Sequence, residues 1–315
     1  MRVVVTGATS FIGAVTVRQL LLKGHQVQAV VRPGSKRLKA LKDHVPKEVC
    51  SQVQITELEM ERIEEIQNRD SASADAWIHT CWEGAGSDNR TLRDVQQSNV
   101  ESSLKAVRAA FGMGCRRFLF TGSQAEYGIC SRLITEDMPC NPVSEYGKAK
   151  RVFAVEAEEL CKSLALDYIH GRIFSVYGPG DHPWSLVQSC LKTWSRGGEM
   201  KLGECTQWWN FLYIEDAASA LISLLERGEP GTYNVAGCDT RRLREFAAEM
   251  YRLCGSQGSY VYGTRPQNAE GQANLLPDIT KIRTHTGWEP KTPFAEGIYE
   301  TLHSLPEADS GQTHI

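Results

Sequence analysis

Residues 2–13 read Arg-Val-Val-Val-Thr-Gly-Ala-Thr-Ser-Phe-Ile-Gly, an apolar β-branched run that passes through a glycine turn into a helical pattern. A run apolar at successive rather than alternate positions belongs to a strand buried on both faces, the strand of a parallel sheet. A tight turn from such a strand into a helix aims backbone N–H groups at one point, and the helix dipole favours an anion there. Gly7 suits the turn and Gly13 the close helix–sheet packing, while Ser10 stands where the three-glycine spacing puts its middle glycine. Serine is a good N-cap with a small side chain, so the stretch predicts a phosphate-cradling turn with Ser10 as a tolerated variant.

Comparable runs recur as QVQAVVR, VQITEL, AWIHTCW, RRFLFTG and DYIHGRIFSVYG, and helical periodicity lies at 14–23, 91–111 and 145–165. Strand alternating with helix predicts an α/β fold, a doubly wound parallel sheet. Beyond residue 175 the rhythm turns irregular, through YGPGDHPW, TQWWNFLYIED and GTYNVAG. Residues 1–175 are therefore expected to form a nucleotide-binding domain. Residues 176–305 form a smaller α/β substrate lobe with some elements returning to the sheet, and the unpatterned 306–315 a tail.

Composition removes several classes of function. A net charge of -3 leaves no broad basic surface for nucleic acid or an anionic membrane. The ten cysteines are scattered without a CxxC pair, and no HExxH occurs. They read as buried apolar residues of a reducing compartment, and no metal is expected. With a strand at the first residues and no apolar run of ~18–20 residues, neither leader nor anchor is expected, which places the protein in the cytoplasm.

From Gly13 to Arg32 is nineteen residues, near the ~20-residue spacing at which a dinucleotide's ribose 2′ position is read. An acidic residue there accepts from a 2′-hydroxyl. Arg32 cannot, but with Ser35, Lys36 or Arg37 it suits a 2′-phosphate, so NADP(H) is expected over NAD(H), which stays possible. A solvated basic loop is the plainer alternative.

Chemistry is suggested further on, where a strand ends TGSQAEYG and a helix opens SEYGKAK. Tyr146 and Lys150, four apart, share one helix face, and an ammonium beside a phenol favours the phenolate, an acid or base usable near neutral pH. Ser123 stands upstream, at the strand's carboxyl end.

Together TGATSFIG, GSQAEYG, YGKAK, RIFSVYGPGD, FLYIEDAA, GTYNVAG and GWEPKTPFAEGI make the chain resemble the extended short-chain dehydrogenase/reductases over about residues 6–290, in the branch of sugar-nucleotide epimerases, dehydratases and reductases. That resemblance implies a Rossmann-type sheet and three catalytic groups. Ser123 would bond the reacting oxygen, Tyr146 would pass its proton, and Lys150 would tune Tyr146 and hold the nicotinamide ribose. It implies a cofactor surface of Gly7, Thr9, Ser10, Phe11, Ile12, Gly13, Arg32, Ser35, Lys36, the backbone of His79, Thr80 and Cys81, Asn99, Thr121 and Phe174. The substrate side would hold Trp82, Glu83, Gln124, Ser175, Tyr177, Trp209 and Arg265, with Trp82 equally readable as core. It also implies a homodimer through the two long helices.

Departures from the family pattern refine the expectation. Gln124 and Ala125 stand where family dehydratases carry an acidic pair, which disfavours water elimination. Ser175 replaces an asparagine, and Trp209 replaces a diphosphate-gripping arginine, for which Arg265 is the remaining candidate. The expected activity is NADPH-linked reduction of a 4-keto nucleotide sugar. A 4-epimerase is the alternative, ahead of a reductase of non-sugar carbonyls and a redox-silent NADP(H) sensor.

Overall fold

A computed structural model describes residues 1–67, 73–86, 89–265 and 273–305, so the expected tail at 306–315 lies outside the described residues. The chain runs β1 (Arg2–Thr6), α1 (Phe11–Leu22), β2 (Gln26–Val31), α2 (Leu38–His44), β3 (Val53–Glu57), β4 (Ala76–His79), α3 (Arg93–Gly112), β5 (Arg117–Ser123), α4 (Glu145–Ser163) and β6 (Asp167–Ile173). It continues through β7 (Ser175–Tyr177), α5 (Leu186–Trp194), β8 (Glu199–Lys201), β9 (Trp208–Tyr213), α6 (Ile214–Arg227), β10 (Gly231–Val235), β11 (Thr240–Arg242), α7 (Leu243–Leu253), β12 (Ser259–Val261), α8 (Thr280–Thr286) and α9 (Phe294–His303).

Seven strands form one parallel sheet in the order β10-β6-β5-β4-β1-β2-β3. From β1 the chain winds outward through β2 and β3, then returns to β4 on the other side of β1. The crevice at the carboxyl ends of β1 and β4 is thus the switch point where ligands bind in such sheets.

The opening valines show why the strand reads as a continuous apolar run. Val3 and Val5 pack with Val17, Leu20 and Leu21 of α1 and Leu221 and Leu224 of α6, whereas Val4 packs with Val107 of α3 and Phe153 of α4. All three valines are fully buried, and each such side chain contributes roughly 1.5–3 kcal/mol through burial.

DYIHGRIFSVYG, one run in the sequence, is two strands in different sheets. After β6 the Phe174 N–H donates to the Val235 carbonyl at 3.0 Å, and the chain then leaves for β7, which pairs with β9 in a three-stranded sheet ordered β11-β9-β7. That sheet packs with α5, α7 and α9 around Trp194, Phe211, Phe246 and Phe294 in a second core. Among the described residues no helix is long and apolar enough to cross a membrane. The expectation of buried cysteines fails at Cys50, in the 3₁₀ helix Lys47–Gln52, and at Cys238, in a bend after β10, both exposed.

Candidate active site

Gly7 adopts φ +73°, and a Cβ there would come within 2.7 Å of Cys81 N and Thr80 Oγ1; at Gly13 it would meet the Gly7 carbonyl at 2.2 Å. Both positions thus exclude a side chain. Ser10 is the N-cap of α1, in extended conformation, its Oγ accepting the Gly13 N–H at 3.1 Å. Because Ser10 N–H donates to Gly7 O and Gly13 N–H to Ser10 Oγ, the amides of Phe11 and Ile12 are the first-turn donors left for a ligand. No acidic side chain stands in that turn to neutralise the dipole. Since glycine as N-cap costs only a few tenths of a kcal/mol relative to serine, Ser10→Gly is expected to leave dinucleotide affinity within about tenfold, ~1.4 kcal/mol. A larger change in a binding titration would give Ser10 a further role.

Beside the turn lies a cleft of about 920 Å³. Arg32, Ser35, Lys36 and Arg37 line one end, Gly7 and Thr9–Phe11 the middle, and Cys81, Trp82, Glu83, Asn99, Ser102 and Ser103 the other. Thr9 Oγ1 lies 3.4 Å from Ser35 Oγ, tying the phosphate turn to the basic loop. Two glycines that a Cβ would block, unsatisfied helix amides and a roomy cleft lined by cations after β2 are the features a dinucleotide fits.

Several residues expected on the cofactor have side chains engaged elsewhere, contacts that leave the backbone of His79–Cys81, the part expected along the cofactor, in place. Ile12 does not line the cleft; its side chain packs against the cores on either side of α1. The His79 ring is buried between Thr6 Oγ1 at 2.7 Å and Ser103 Oγ at 2.9 Å. Burial, with the Lys150 charge adding to it, pushes its pKa down to about 3, so it is a neutral core residue. Thr80 Oγ1 donates to Thr6 O at 2.8 Å and braces the turn. Burial pushes the Cys81 thiol up to about 11, which removes it as a nucleophile. Asn99 grips the backbone N–H and C=O of Glu83, each at 2.8 Å, and so pins the loop after β4.

The Ser123, Tyr146 and Lys150 side chains are all buried. Ser144 caps α4, accepting from Gly147 N–H at 3.1 Å, so Tyr146 and Lys150 sit in its first turns on one face. Lys150 Nζ donates to the Thr121 carbonyl at 2.9 Å and lies 3.9 Å from the Trp82 ring centroid. Thr121 Oγ1 itself donates to the His79 carbonyl. The Arg90 guanidinium stands 4.1 Å from the Tyr146 ring centroid and Lys150 Nζ 5.8 Å, so two cations flank that phenol. Burial pushes the Lys150 ammonium down to about 7, Glu126 and Cys81 opposing and Arg90 reinforcing the shift. Trp82 is therefore neither plain core nor simple pocket wall. Its ring caps Lys150, packs edge-on to Tyr146, and is held by an Nε1–H bond to Gln96 Oε1 at 2.8 Å.

Glu126 is the residue that motif reading misses, although Ser123-Gln-Ala-Glu126 has capping-box spacing. Its Oε1 accepts the Ser123 N–H at 2.8 Å and lies 3.0 Å from His170 Nε2, and its Oε2 accepts from Arg172 Nε at 3.1 Å. Burial alone would raise this carboxyl, but His170 and then Arg172 outweigh it and hold it at about 2. With both oxygens engaged and no exposure, Glu126 cannot substitute for the missing acidic pair. Ser123 Oγ accepts from Ala125 N–H at 3.2 Å, which aims its own O–H away from that amide.

The expected substrate side needs correction. Tyr177 is 1% exposed, and its hydroxyl donates to the Phe294 carbonyl at 3.2 Å, making it part of the second core. Phe174, expected on the cofactor, packs with Tyr127, Ile134, Ala236 and Leu275 and does not line the cleft, because its backbone is already turning from β6 toward β7. Gln124 opens a 3₁₀ turn at 124–126 and is half-buried, as is Ser175 at the start of β7. Trp209 bridges the Phe174 cluster and the second core. Arg265 is exposed, with its N–H bonded to the Leu202 carbonyl.

Residues 3–236 match the NAD dependent epimerase/dehydratase family. The chain belongs to that family. With its doubly wound sheet it is a short-chain dehydrogenase/reductase of the extended type. It is similar to a dTDP-D-glucose 4,6-dehydratase of Mus musculus, 24% identical over 221 residues, 65% of this chain and 59% of that protein. It is also similar to an uncharacterized UDP-glucose epimerase of Bacillus subtilis, 22% identical over 330 residues, 99% of this chain and 100% of that one. Among solved structures, the UDP-glucose 4-epimerase of Thermus thermophilus in complex with NAD superposes with a TM-score of 0.83 at 22% identity, covering 96% of this chain and 98% of that one.

Proposed function

We propose that this family member is a nucleotide-sugar oxidoreductase, the observation that carries the reading being a buried Ser123, Tyr146 and Lys150 set one strand away from a dinucleotide-shaped cleft. Gly7, the Phe11 amide, the Arg32–Arg37 loop and the Cys81–Glu83 segment would hold the nicotinamide dinucleotide. When bound, it supplies the hydride exchanged at a sugar carbon. Ser123 donates its O–H to the oxygen on that carbon and Tyr146 passes a proton to or from it. The Arg90 guanidinium, and Lys150 in its protonated form, favour the phenolate that this proton transfer leaves. Residues 176–305, with β10 returned to the main sheet, form the substrate lobe.

Net reduction of a 4-keto sugar with NADP(H) is our first reading. Arg32, Lys36 and Arg37 bring three cations to the adenosine end of the cleft against the carboxylates of Glu59 and Glu61, and no acidic residue stands at position 32 to accept from a 2′-hydroxyl. NADPH is then expected to bind at least tenfold tighter than NADH, and Arg32→Ala to weaken NADPH by roughly 10–100-fold with little effect on NADH, the weight of a charge-assisted bond of ~1.5–3 kcal/mol. Equal or tighter NADH binding in a fluorescence titration removes this reading. The second reading, 4-epimerisation with retained NAD, is favoured by the NAD complex of the Thermus thermophilus epimerase. It predicts a protein purified with stoichiometric NAD and no net NADPH consumption.

We also propose a homodimer through α3 and α4, whose outer faces leave Phe111, Val152 and Val155 exposed by 51%, 45% and 38%. Light scattering is expected to return twice the chain mass of 35.1 kDa.

A further inference from the structure

Gln96, in the first turn of α3, takes no part in the functions described above. It is 1% exposed, and its amide makes three bonds to residues after β4. Oε1 accepts the Trp82 Nε1–H at 2.8 Å, and Nε2 donates to the Gly84 carbonyl at 3.0 Å and to the Asn89 carbonyl at 3.1 Å. An indole N–H only donates and a carbonyl only accepts, so one orientation of the amide satisfies all three. The fit is close at Gly84 as well. Its φ is +69°, and a Cβ there would stand 3.0 Å from Gln96 Nε2 and 3.1 Å from Val95 Cγ1.

Two of these bonds fix groups that bear on Tyr146. Trp82 sets its ring centroid 3.9 Å from Lys150 Nζ, where with Phe120 at 4.5 Å, Tyr146 at 5.8 Å and the Thr121 carbonyl at 2.9 Å it forms a box around the ammonium. Trp82 also lines the cleft, which Lys150 and Tyr146 do not, so the indole meets the cleft as well as the ammonium. The Asn89 bond holds the neighbour of Arg90, whose carbonyl accepts the Tyr146 N–H at 3.0 Å and whose guanidinium stands 4.1 Å from the Tyr146 ring centroid. The indole acts on Lys150 in two opposed ways. Attraction to a ring face moves a lysine up by at most about 1.5 pH units, whereas burial moves one down by up to about 3–5. Exclusion of water therefore wins, in agreement with an ammonium brought down to about 7. The other charged or titratable groups around that ammonium, besides Tyr146, are Glu126, His79, Cys81 and Arg90.

We propose that Gln96 is a positioning residue for the Tyr146 and Lys150 pair, holding the Trp82 ring over Lys150 and, through the Asn89 carbonyl, Arg90 over Tyr146. A single buried amide thereby sets both how far water is kept from the lysine and where the permanent cation stands. Its meaning for turnover rests on the reading of Tyr146 and Lys150 as the reacting pair.

The test is a carbon-13 NMR titration of the full chain labelled at lysine Cε, with Lys150 assigned from the resonance lost in Lys150→Arg and amide hydrogen exchange read alongside. In the wild type Lys150 is expected to titrate near neutral pH, well below the ~10.4 of an ordinary lysine. Trp82→Ala, which opens the ammonium to the cleft, is expected to move that titration up by about one pH unit or more. Gln96→Met, close in length but without the three bonds, is expected to move it up by about half a unit or more and to speed exchange of the Tyr146 amide about tenfold relative to the amides of β5. A wild-type Lys150 that titrates as an ordinary lysine overturns the proposal, as does an alanine variant within ~0.3 pH unit of wild type. So does Gln96→Met if it leaves either quantity unchanged. The wild-type chain and Gln96→Met decide the matter should Trp82→Ala fail to fold. Because neither substrate nor cofactor enters the measurement, a chain that meets these expectations but turns over no nucleotide sugar loses the functional reading alone.

Discussion

Tyr146→Phe is expected to lower turnover of a nucleotide sugar by roughly 10²–10⁴-fold while ADP-ribose binding stays within about twofold of wild type. The size is that of a positioned general acid or base. Only the hydroxyl is deleted. The ring, 8% exposed, keeps its place under the Arg90 guanidinium at 4.1 Å and edge-on to Trp82 at 6.4 Å, so packing around the site persists. The cleft proposed for the dinucleotide is lined by other residues, which is why affinity and turnover should separate. Steady-state kinetics on an identified substrate, with binding measured in parallel, decide the matter. Near-wild-type turnover would take the proton relay away from Tyr146, and a matching fall in both quantities would mean a collapsed site.

How far the sequence reveals this arrangement depends on whether each contact is local. The phosphate turn is legible because strand, turn and helix are contiguous, and the buried valines leave their mark as an unbroken apolar run. Tyr146 and Lys150 are legible because helix geometry alone puts residues four apart on one face. The split of DYIHGRIFSVYG is not legible, since both halves read as strand and only the bond from Phe174 to Val235, sixty-one residues on, shows where the chain changes sheets. Tyr177 misleads for a similar reason: the carbonyl that engages its hydroxyl belongs to Phe294, 117 residues away. Trp82 over Lys150 and His182 in the cleft beside the β1–α1 turn likewise join separate segments, and no spacing rule announces them.

Glu126 is the strongest such case, and its loss should be the most damaging to the fold. The register of β5 and β6 sets Gly122 opposite Arg172 and Phe120 opposite His170, and a Cβ on Gly122 would overlap both His170 Nε2 at 2.1 Å and Glu126 Oε1 at 2.5 Å. The carboxylate is thus enclosed at 0% exposure between two basic side chains. Removing one member of a buried ion pair strands the other and costs about 3–5 kcal/mol, so Glu126→Gln should lower the melting temperature by at least ~5 °C. Arg172→Met should do the same, and combining it with Glu126→Gln should cost less than the sum of the two, because the double variant strands neither charge of that pair. If the double variant is instead as unstable as the sum of the singles, the two residues are not coupled. Acid should expose the same carboxylate. Held at about 2 against an ordinary 4.5, Glu126 takes its proton in the unfolded chain first, so its contribution is complete above pH 4.5 and is lost as pH falls toward 2. His79, held at about 3 against 6.5, acts in the same sense over a higher window, destabilising the fold as pH falls below 6.5. Asp181, raised by burial to about 6, opposes His79 between pH 6 and 3.8, so denaturant midpoints of the wild type should change little down to pH ~4.5 and fall below it, and in Glu126→Gln that fall should flatten. An unchanged lower limb in that variant would assign the acid sensitivity to other carboxylates.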